Sequence, residues 1–393
     1  MTTLTEWEQR VSPTVRNMPP SGIRKYFDMA AEMKGVISLG VGEPDFVTPW
    51  NIREACIYSL EQGKTMYTSN HGMLELREAI SGLYKEETGL SYDPRSEIVI
   101  TVGVSEALDL AMRAILEPGD EVIIPEPCYV SYQACVTLAK GVPVPVYTKL
   151  ENEFRLTPQE LEAAITPRTK ALILSYPCNP TGAIMTKADL EAIAEIVAKH
   201  DLLVISDEIY DKLTYEGTHT CFASLPGMRD RTILLNGFSK AYAMTGWRVG
   251  YACGNKAFID AMVKIHQYTM LCAPITAQTA ALEALRNGKS AMEDMVKQYD
   301  QRRRLMLHGF REMGLDCFEP RGAFYIFPNI SKTGLTEEQF TEELIKEARV
   351  AVVPGTAFGE SGRGHVRVSY AASVKNLSEA LDRIGKFVAK RLR

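Results

Sequence analysis

From residue 97 onward, short β-branched runs alternate with stretches of helical periodicity, the arrangement of α/β units on a mostly parallel sheet. The spacing predicts strands at EIVITV (97–102), EVIIP (121–125), VPVPVY (142–147), KALILSY (170–176), LLVISDE (202–208), TILLNG (232–237) and RVGYACG (248–254). Helical patterns lie between several of them: SEALDLAMRAIL from Ser105, the stretch after Tyr129, TPQELEAAI, and TKADLEAIAEIVAKH from Thr186. In the last, Thr186 and Asp189 have capping-box spacing, and Leu190, Ile193, Ala194 and Val197 form one apolar stripe. Prolines and glycines at Pro118–Gly119, Pro127 and Pro180–Gly182 mark loops.

Beyond about residue 285 the texture changes. A charged amphipathic helix is expected over 290–313, then a strand at AFYIF (323–327), a helix near 337–347, strands at 350–353 and 365–370, and a terminal helix from about 374. This reads as a smaller α+β domain joined to the large one by the long helix. The first fifty residues show little periodicity beyond VISLG (36–40), and suit an arm plus part of the small domain.

Composition narrows the class of protein. At about 150 residues per domain, 393 residues make two or three domains. Hydrophobic residues at 46% and charged residues at 24% are ordinary for a globular chain and exclude disorder and coiled coil. The net charge of −5 is spread without a polybasic block, so neither nucleic acid nor a membrane surface is an expected partner. Eight cysteines with no CxxC pair read as reduced thiols of a cytoplasmic protein. The polar start MTTLTEWEQRVSP lacks the apolar core of a secretion signal, and no uninterrupted apolar run is long enough to cross a membrane. No metal site is expected.

Five segments carry candidate chemistry. In NGFSKAYAMTGWRVGY, Lys240 follows a predicted strand, and Arg248 is the only basic residue in the stretch after it. A desolvated lysine is a Schiff-base nucleophile, and an arginine fork matches phosphate oxygens. Asp207 ends the run LLVISDE where open α/β sheets present ligand-binding groups, and Tyr210 follows three residues later. Taken singly, Asp207 reads as a helix cap and Tyr210 as a wall residue. Asn179 in SYPCNPTG has a backbone restricted by Pro180, which suits a held amide or a simple turn. Gly103 closes a strand while Val104 and Ser105 open a helix, a junction whose free N–H groups bind phosphate; it is neither GxGxxG nor a Walker loop. Arg367 in HVRVSYA faces opposite Val366 and Val368 by strand alternation, toward solvent or toward a carboxylate ligand.

Together with SGIRK and SLGVGEPDF near the start, these segments make the chain resemble the class I/II aminotransferases, pyridoxal-phosphate enzymes of fold type I. The likeness covers nearly the whole chain. It is strongest to the prokaryotic aspartate and aromatic branch, and within it to the N-acetyl-LL-diaminopimelate aminotransferase-like group, which shares PxNPTG, KxHQY and an AFYIFP stretch. The resemblance implies a large cofactor domain over 48–288 with a mostly parallel seven-stranded sheet, and a small domain from 1–47 and 289–393.

It also implies site roles. Lys240 would hold pyridoxal 5'-phosphate covalently and shuttle the proton, and Asp207 would pair with the pyridine nitrogen. Tyr210 and Asn179 would donate to the phenolic oxygen, and Tyr129 would stack on the ring. Arg248, Ser105 and the backbone of Val104 would grip the phosphate, with Tyr67 reaching the phosphate of a neighbouring subunit in a homodimer. Arg367 would clamp the substrate carboxylate with Gly42 and Asn179. The implied reaction passes an amino group from an amino acid to a 2-oxo acid, with 2-oxoglutarate as the usual acceptor and aspartate, alanine, an aromatic amino acid or N-acetyl-LL-diaminopimelate as donor. A C–S β-lyase of the same fold is the alternative. Arg24 and Lys25 are basic residues that either read the far end of a substrate or sit solvated at the surface. Gly237 stands where animal-type relatives have a phosphate-binding serine, and Cys178 where asparagine or serine often precedes Asn179.

Overall fold

The computed structural model describes residues 5–20 and 22–392. Residues 1–4 of the polar start, Ser21 of SGIRK and Arg393 lie outside the described residues. The chain's first strand, β1 (Ile37–Ser38), stands apart from the seven that follow. These are β2 (Ile98–Thr101), β3 (Glu121–Glu126), β4 (Val142–Tyr147), β5 (Thr169–Leu174), β6 (Leu203–Asp207), β7 (Thr232–Gly237) and β8 (Gly250–Cys253). They form one sheet in the order β2-β8-β7-β6-β5-β3-β4. The strands from β4 to β7 pair in parallel, whereas β8 runs antiparallel to both β7 and β2. Each predicted strand is present. Their near-continuous apolar runs are explained by helices on both faces, which leave β2 and β8 wholly buried. The exception is β4, an edge strand that alternates valine with proline and remains partly exposed. Pro143 and Pro145 deny a further strand the amide donors it would need.

The four predicted helices between strands form at Gly103–Ile115, Ser131–Leu138, Pro158–Ala164 and Lys187–Lys199. In the last, the Asp189 amide donates to Thr186 Oγ1 at 3.2 Å while the Thr186 amide donates to the Asp189 carboxylate at 2.8 Å. The stripe Leu190, Ile193, Ala194 and Val197 is buried as the pattern requires. Helices Trp50–Glu61, Leu74–Thr88, Lys256–Thr269 and Ile275–Asn287 were not legible beforehand, nor were Glu6–Arg10, Pro13–Arg16 and Arg24–Ala31 in the first fifty residues. Trp50–Glu61 shows why. Ile52 faces the core while Trp50, Ile57, Tyr58 and Leu60 are exposed, so no single apolar stripe exists to be read.

The smaller unit is built from both chain ends. β1 pairs in parallel with β10 (Val350–Ala351), and the antiparallel order β11-β12-β9 joins Val353–Pro354, Val366–Ser369 and Tyr325–Ile326. The expected strand at 350–353 is therefore two short strands in different sheets. The long helix spans Lys289–Glu312, the helix Glu337–Glu343 runs on into a wider π turn at Leu344–Ala348, and Val374–Ala389 closes the chain. Arg303 on the long helix is buried, and its guanidinium pairs with Asp300, Glu319 and Glu216, tying the helix to both parts of the fold. Among the described residues, no helix is long and apolar enough to cross a membrane.

Candidate active site

The carboxyl ends of β6 and β7 lie side by side in the middle of the sheet, and each delivers one titratable side chain. Asp207, the last residue of β6, is buried. Its carboxylate accepts the Tyr132 hydroxyl at 2.8 Å and the Ile209 amide at 3.2 Å. Burial pushes the carboxyl up to about 6 even though both hydrogen bonds favour the charged form. Lys240 lies just past β7, half-buried, and its Nζ donates to the Gly42 carbonyl at 2.7 Å. Desolvation lowers its amine to about 8; Glu43 and Asp207 oppose the shift, while Arg367 and Arg248 add to it.

An anion cradle lies beside them. Gly103 starts the helix Gly103–Ile115 with φ at +76°, a conformation that glycine adopts without strain. A Cβ there would come within 2.6 Å of Arg248 Nη2, and one on Gly250 within 2.8 Å of the Val104 amide nitrogen. Two glycines thus let a guanidinium and the helix N-terminus converge, with Ser105 exposed at the opening. Arg248 does not begin the strand, as the pattern RVGYACG suggested. It occupies a left-handed turn with φ at +53° and β8 starts at Gly250, which frees its side chain to reach the cradle.

The other end of the cavity is assembled from distant segments. Arg367 on β12 is buried, donates to Asn179 Oδ1 at 2.9 Å and to the Gly40 carbonyl, and leaves Nε buried with no partner among the described residues. The rings of Tyr325 and Phe358 each flank its guanidinium at 4.6 Å. The Tyr325 hydroxyl is 2.8 Å from that of Tyr210 and lies so close to Gly42 that a side chain there would collide with it. Gly42 is therefore a glycine for steric reasons.

These groups share one cavity of about 730 Å³. It is lined by Gly42, Val104, Ser105, Tyr129, Asn179, Asp207, Tyr210, Lys240, Arg248 and Arg367. Tyr67 is the site residue that the fold leaves elsewhere, 82% exposed on the outer surface of its own chain. Of the two basic residues in question, Arg24 lines the cavity while Lys25 pairs with Glu342 at 2.7 Å. Sequence reasoning missed Tyr132 and Tyr325, which hold Asp207 and flank Arg367. Both sit in stretches already singled out, three residues after Tyr129 and within AFYIFP, but nothing in their spacing says that they turn inward. It also missed the pair Glu106–His266, 2.6 Å apart under the cradle. Gly237 is explained by packing: a Cβ would sit 2.9 Å from Gly250 Cα and 3.2 Å from Val104 Cγ2, so a serine has no room.

The donor set suits a phosphorylated pyridine aldehyde. It offers an anion cradle, a carboxylate for a ring nitrogen, an amine for the aldehyde and, at the far end, a guanidinium whose Nε still lacks a partner. Comparison with known proteins agrees. The family model "Aminotransferase class I and II" matches residues 34–384. The chain is 50% identical to the aspartate aminotransferase of Pyrococcus abyssi, over 95% of this chain and 96% of that one. It is 47% identical to aromatic-amino-acid aminotransferase 2 of Thermococcus litoralis, over 97% and 99%. The solved aspartate aminotransferase of Thermus thermophilus with maleate superposes with a TM-score of 0.92 at 42% identity, covering 96% of this chain and 99% of the other. The chain belongs to the class I and II aminotransferases and is a pyridoxal-phosphate-dependent enzyme of their aspartate and aromatic branch.

Proposed function

We propose that the enzyme takes the amino group of an L-amino acid and passes it to a 2-oxo acid, with 2-oxoglutarate as acceptor, in two alternating half-reactions at Lys240. Aspartate, alanine, an aromatic amino acid and N-acetyl-LL-diaminopimelate are the candidate donors. The observation that carries this reading is that the Lys240 amine, the Asp207 carboxylate and the Arg367 guanidinium all face one cavity. Bound pyridoxal phosphate supplies a sink for the electrons of the substrate Cα–H bond.

The chain's own residues do the rest. Arg248, Ser105 and the Val104 amide hold the phosphate at the helix N-terminus. Asp207, fixed by Tyr132, would pair with the ring nitrogen and keep it protonated. Tyr129, on the cavity wall, would cover the ring face. Asn179, whose Oδ1 is taken by Arg367, has its amide nitrogen left to donate to the phenolic oxygen, as does the Tyr210 hydroxyl. Arg367 and the backbone of Gly42 orient the substrate carboxylate, which fixes the direction of the Cα–H bond. With its amine lowered to about 8, Lys240 is partly neutral near pH 7 and serves as the base that takes the Cα proton and returns it one position away.

The working unit in this reading is a cytoplasmic homodimer. Met66 and Tyr67 are exposed on one loop, and Tyr268 and Met270 at the end of the helix Lys256–Thr269; Asn70 Nδ2 joins the two regions by donating to the Leu271 carbonyl at 2.7 Å. With Trp50, Ile57 and Tyr58 they make an apolar surface suited to a second copy, whose cavity Tyr67 would then reach. The division into a cofactor domain over 48–288 and a small domain from 1–47 and 289–393 is supported by the β1–β10 pairing and by the Ser369 amide, which donates to the Leu39 carbonyl at 2.7 Å.

A panel of amino donors assayed against 2-oxoglutarate, including N-acetyl-LL-diaminopimelate, tests the reaction. Glutamate formation that needs both partners is expected. Pyruvate and ammonia released without an acceptor would instead make the enzyme a β-lyase.

A further inference from the structure

Under the cradle, Glu106 and His266 form a buried polar pair that no step above uses. Glu106 stands on the first turn of the helix Gly103–Ile115, and His266 on the last turn of the helix Lys256–Thr269 packed beside it. His266 Nδ1 and Glu106 Oε1 are 2.6 Å apart, and the other carboxylate oxygen accepts the Val102 amide at 2.5 Å. Both oxygens are thus engaged. His266 Nε2 is buried with no partner among the described residues, so Glu106 is the ring's hydrogen-bond partner.

Stability alone does not call for this pair. The rest of the contact between the two helices is apolar, with Ala107, Leu108, Ala111, Ile259 and Met262 in one buried cluster. Apolar side chains of similar volume in place of a buried carboxylate and its partner are often as stabilising or more so. A carboxylate is also an unfavourable charge to place one helical turn from a phosphate.

The pair's contribution is geometric. Val102 precedes the helix with no side-chain cap, and its amide is taken by Glu106. Next comes Gly103, at φ +76°, against which Arg248 packs. Thr101 Oγ1 donates to the Gly103 carbonyl at 2.9 Å. The strand-to-helix turn is therefore clasped twice, by Thr101 from the strand and by Glu106 from the helix, with His266 fixing the Glu106 carboxylate. Donors held in place beforehand bind an anion better than donors that must be ordered on binding.

We propose that Glu106 and His266 are positioning residues that hold the turn of the phosphate cradle in its binding geometry. Neither lines the cavity, so both act through the backbone of residues 102–104. The inference rests on the reading of the cradle as the seat of the cofactor phosphate.

The test compares pyridoxal phosphate with pyridoxal, which lacks the phosphate, by titrating the full-length enzyme stripped of cofactor. The preference for the phosphorylated form should fall by about tenfold or more in H266L and in E106A. In H266N, whose side-chain amide still offers a donor to the carboxylate, most of the preference should return. M262A is the control: it loosens the same helix contact one turn from His266, leaves the polar pair intact, and should keep the preference. The phosphorus magnetic resonance of the bound cofactor should shift in H266L and E106A and stay in place in M262A. An unchanged preference in H266L and E106A, or an equal fall in M262A, overturns the inference. Equal affinities for the two forms in the unaltered enzyme would overturn the cradle reading itself, and the inference with it.

Discussion

The two ends of the cavity are built in different ways. At the cofactor end, Asp207 and Lys240 come from adjoining strand ends of one sheet, and the cradle from glycine-fitted backbone beside them. Main-chain geometry sets those positions. At the substrate end, Arg24, Gly42, Asn179 and Arg367 come from four separate stretches of chain brought to one cavity wall, with the Arg367 guanidinium reaching Asn179 and the Gly40 carbonyl. The contrast suggests a division of labour. Chemistry rests on the rigid scaffold, while recognition rests on pieces that can be exchanged without disturbing the sheet.

If so, damage at the cofactor end should lower kcat, and damage at the substrate end should act on kcat/KM. The largest effect is expected for Lys240→Ala, which should lose at least about 10⁴-fold in steady-state turnover and fail to retain cofactor covalently in the visible spectrum. Normal turnover in that variant would remove Lys240 from the mechanism. Asp207→Asn should lower kcat by about 10²–10³-fold, because a neutral amide no longer stabilises a protonated ring nitrogen. A change confined to KM would assign Asp207 to the wrong half.

Arg367→Lys should cost about 10- to 100-fold in kcat/KM through loss of the bidentate fork, with cofactor affinity held within about twofold. A large drop in cofactor affinity would erase the distinction between the two ends. The rate of cofactor uptake gives a pH test. The neutral amine is the nucleophile and its value is about 8, so uptake should rise with pH up to about 8 and level off above it. A flat profile between pH 6 and 9 would contradict desolvation of Lys240. The smallest expected effect is Gly237→Ser, where the overpacked β7–β8 contact should reduce stability by about 1–3 kcal/mol in urea unfolding.

The cofactor end was also the more legible in the sequence. Asp207 and Lys240 lie at or just past the carboxyl ends of predicted strands, where ligand groups gather, and gained their meaning together with the other segments. The capping box at Thr186 and Asp189 was equally plain, since it depends on residues three apart. Arg367 was ambiguous: alternation shows that it faces away from the valines but not whether that side is wet, and the small sheet proved to be buried on both sides. Tyr325 and Tyr132 gave no signal, because inward-facing tyrosines have the same spacing as core ones. Arg24 and Lys25 are adjacent and identical in charge, yet one faces the cavity and the other meets Glu342.

The sequence by itself determined the seven strands and the alternation with helices, and singled out Lys240, Asp207, Arg248 and Arg367 as candidates. Those features depend on the order and periodicity of neighbouring residues, which local physics reads directly. Only the tertiary structure decided that β1 crosses to β10, that Gly42 must remain bare beneath Tyr325, and that Arg24 rather than Lys25 enters the cavity. Each of those is a meeting of residues far apart in the chain, fixed by packing and not by any pattern along it.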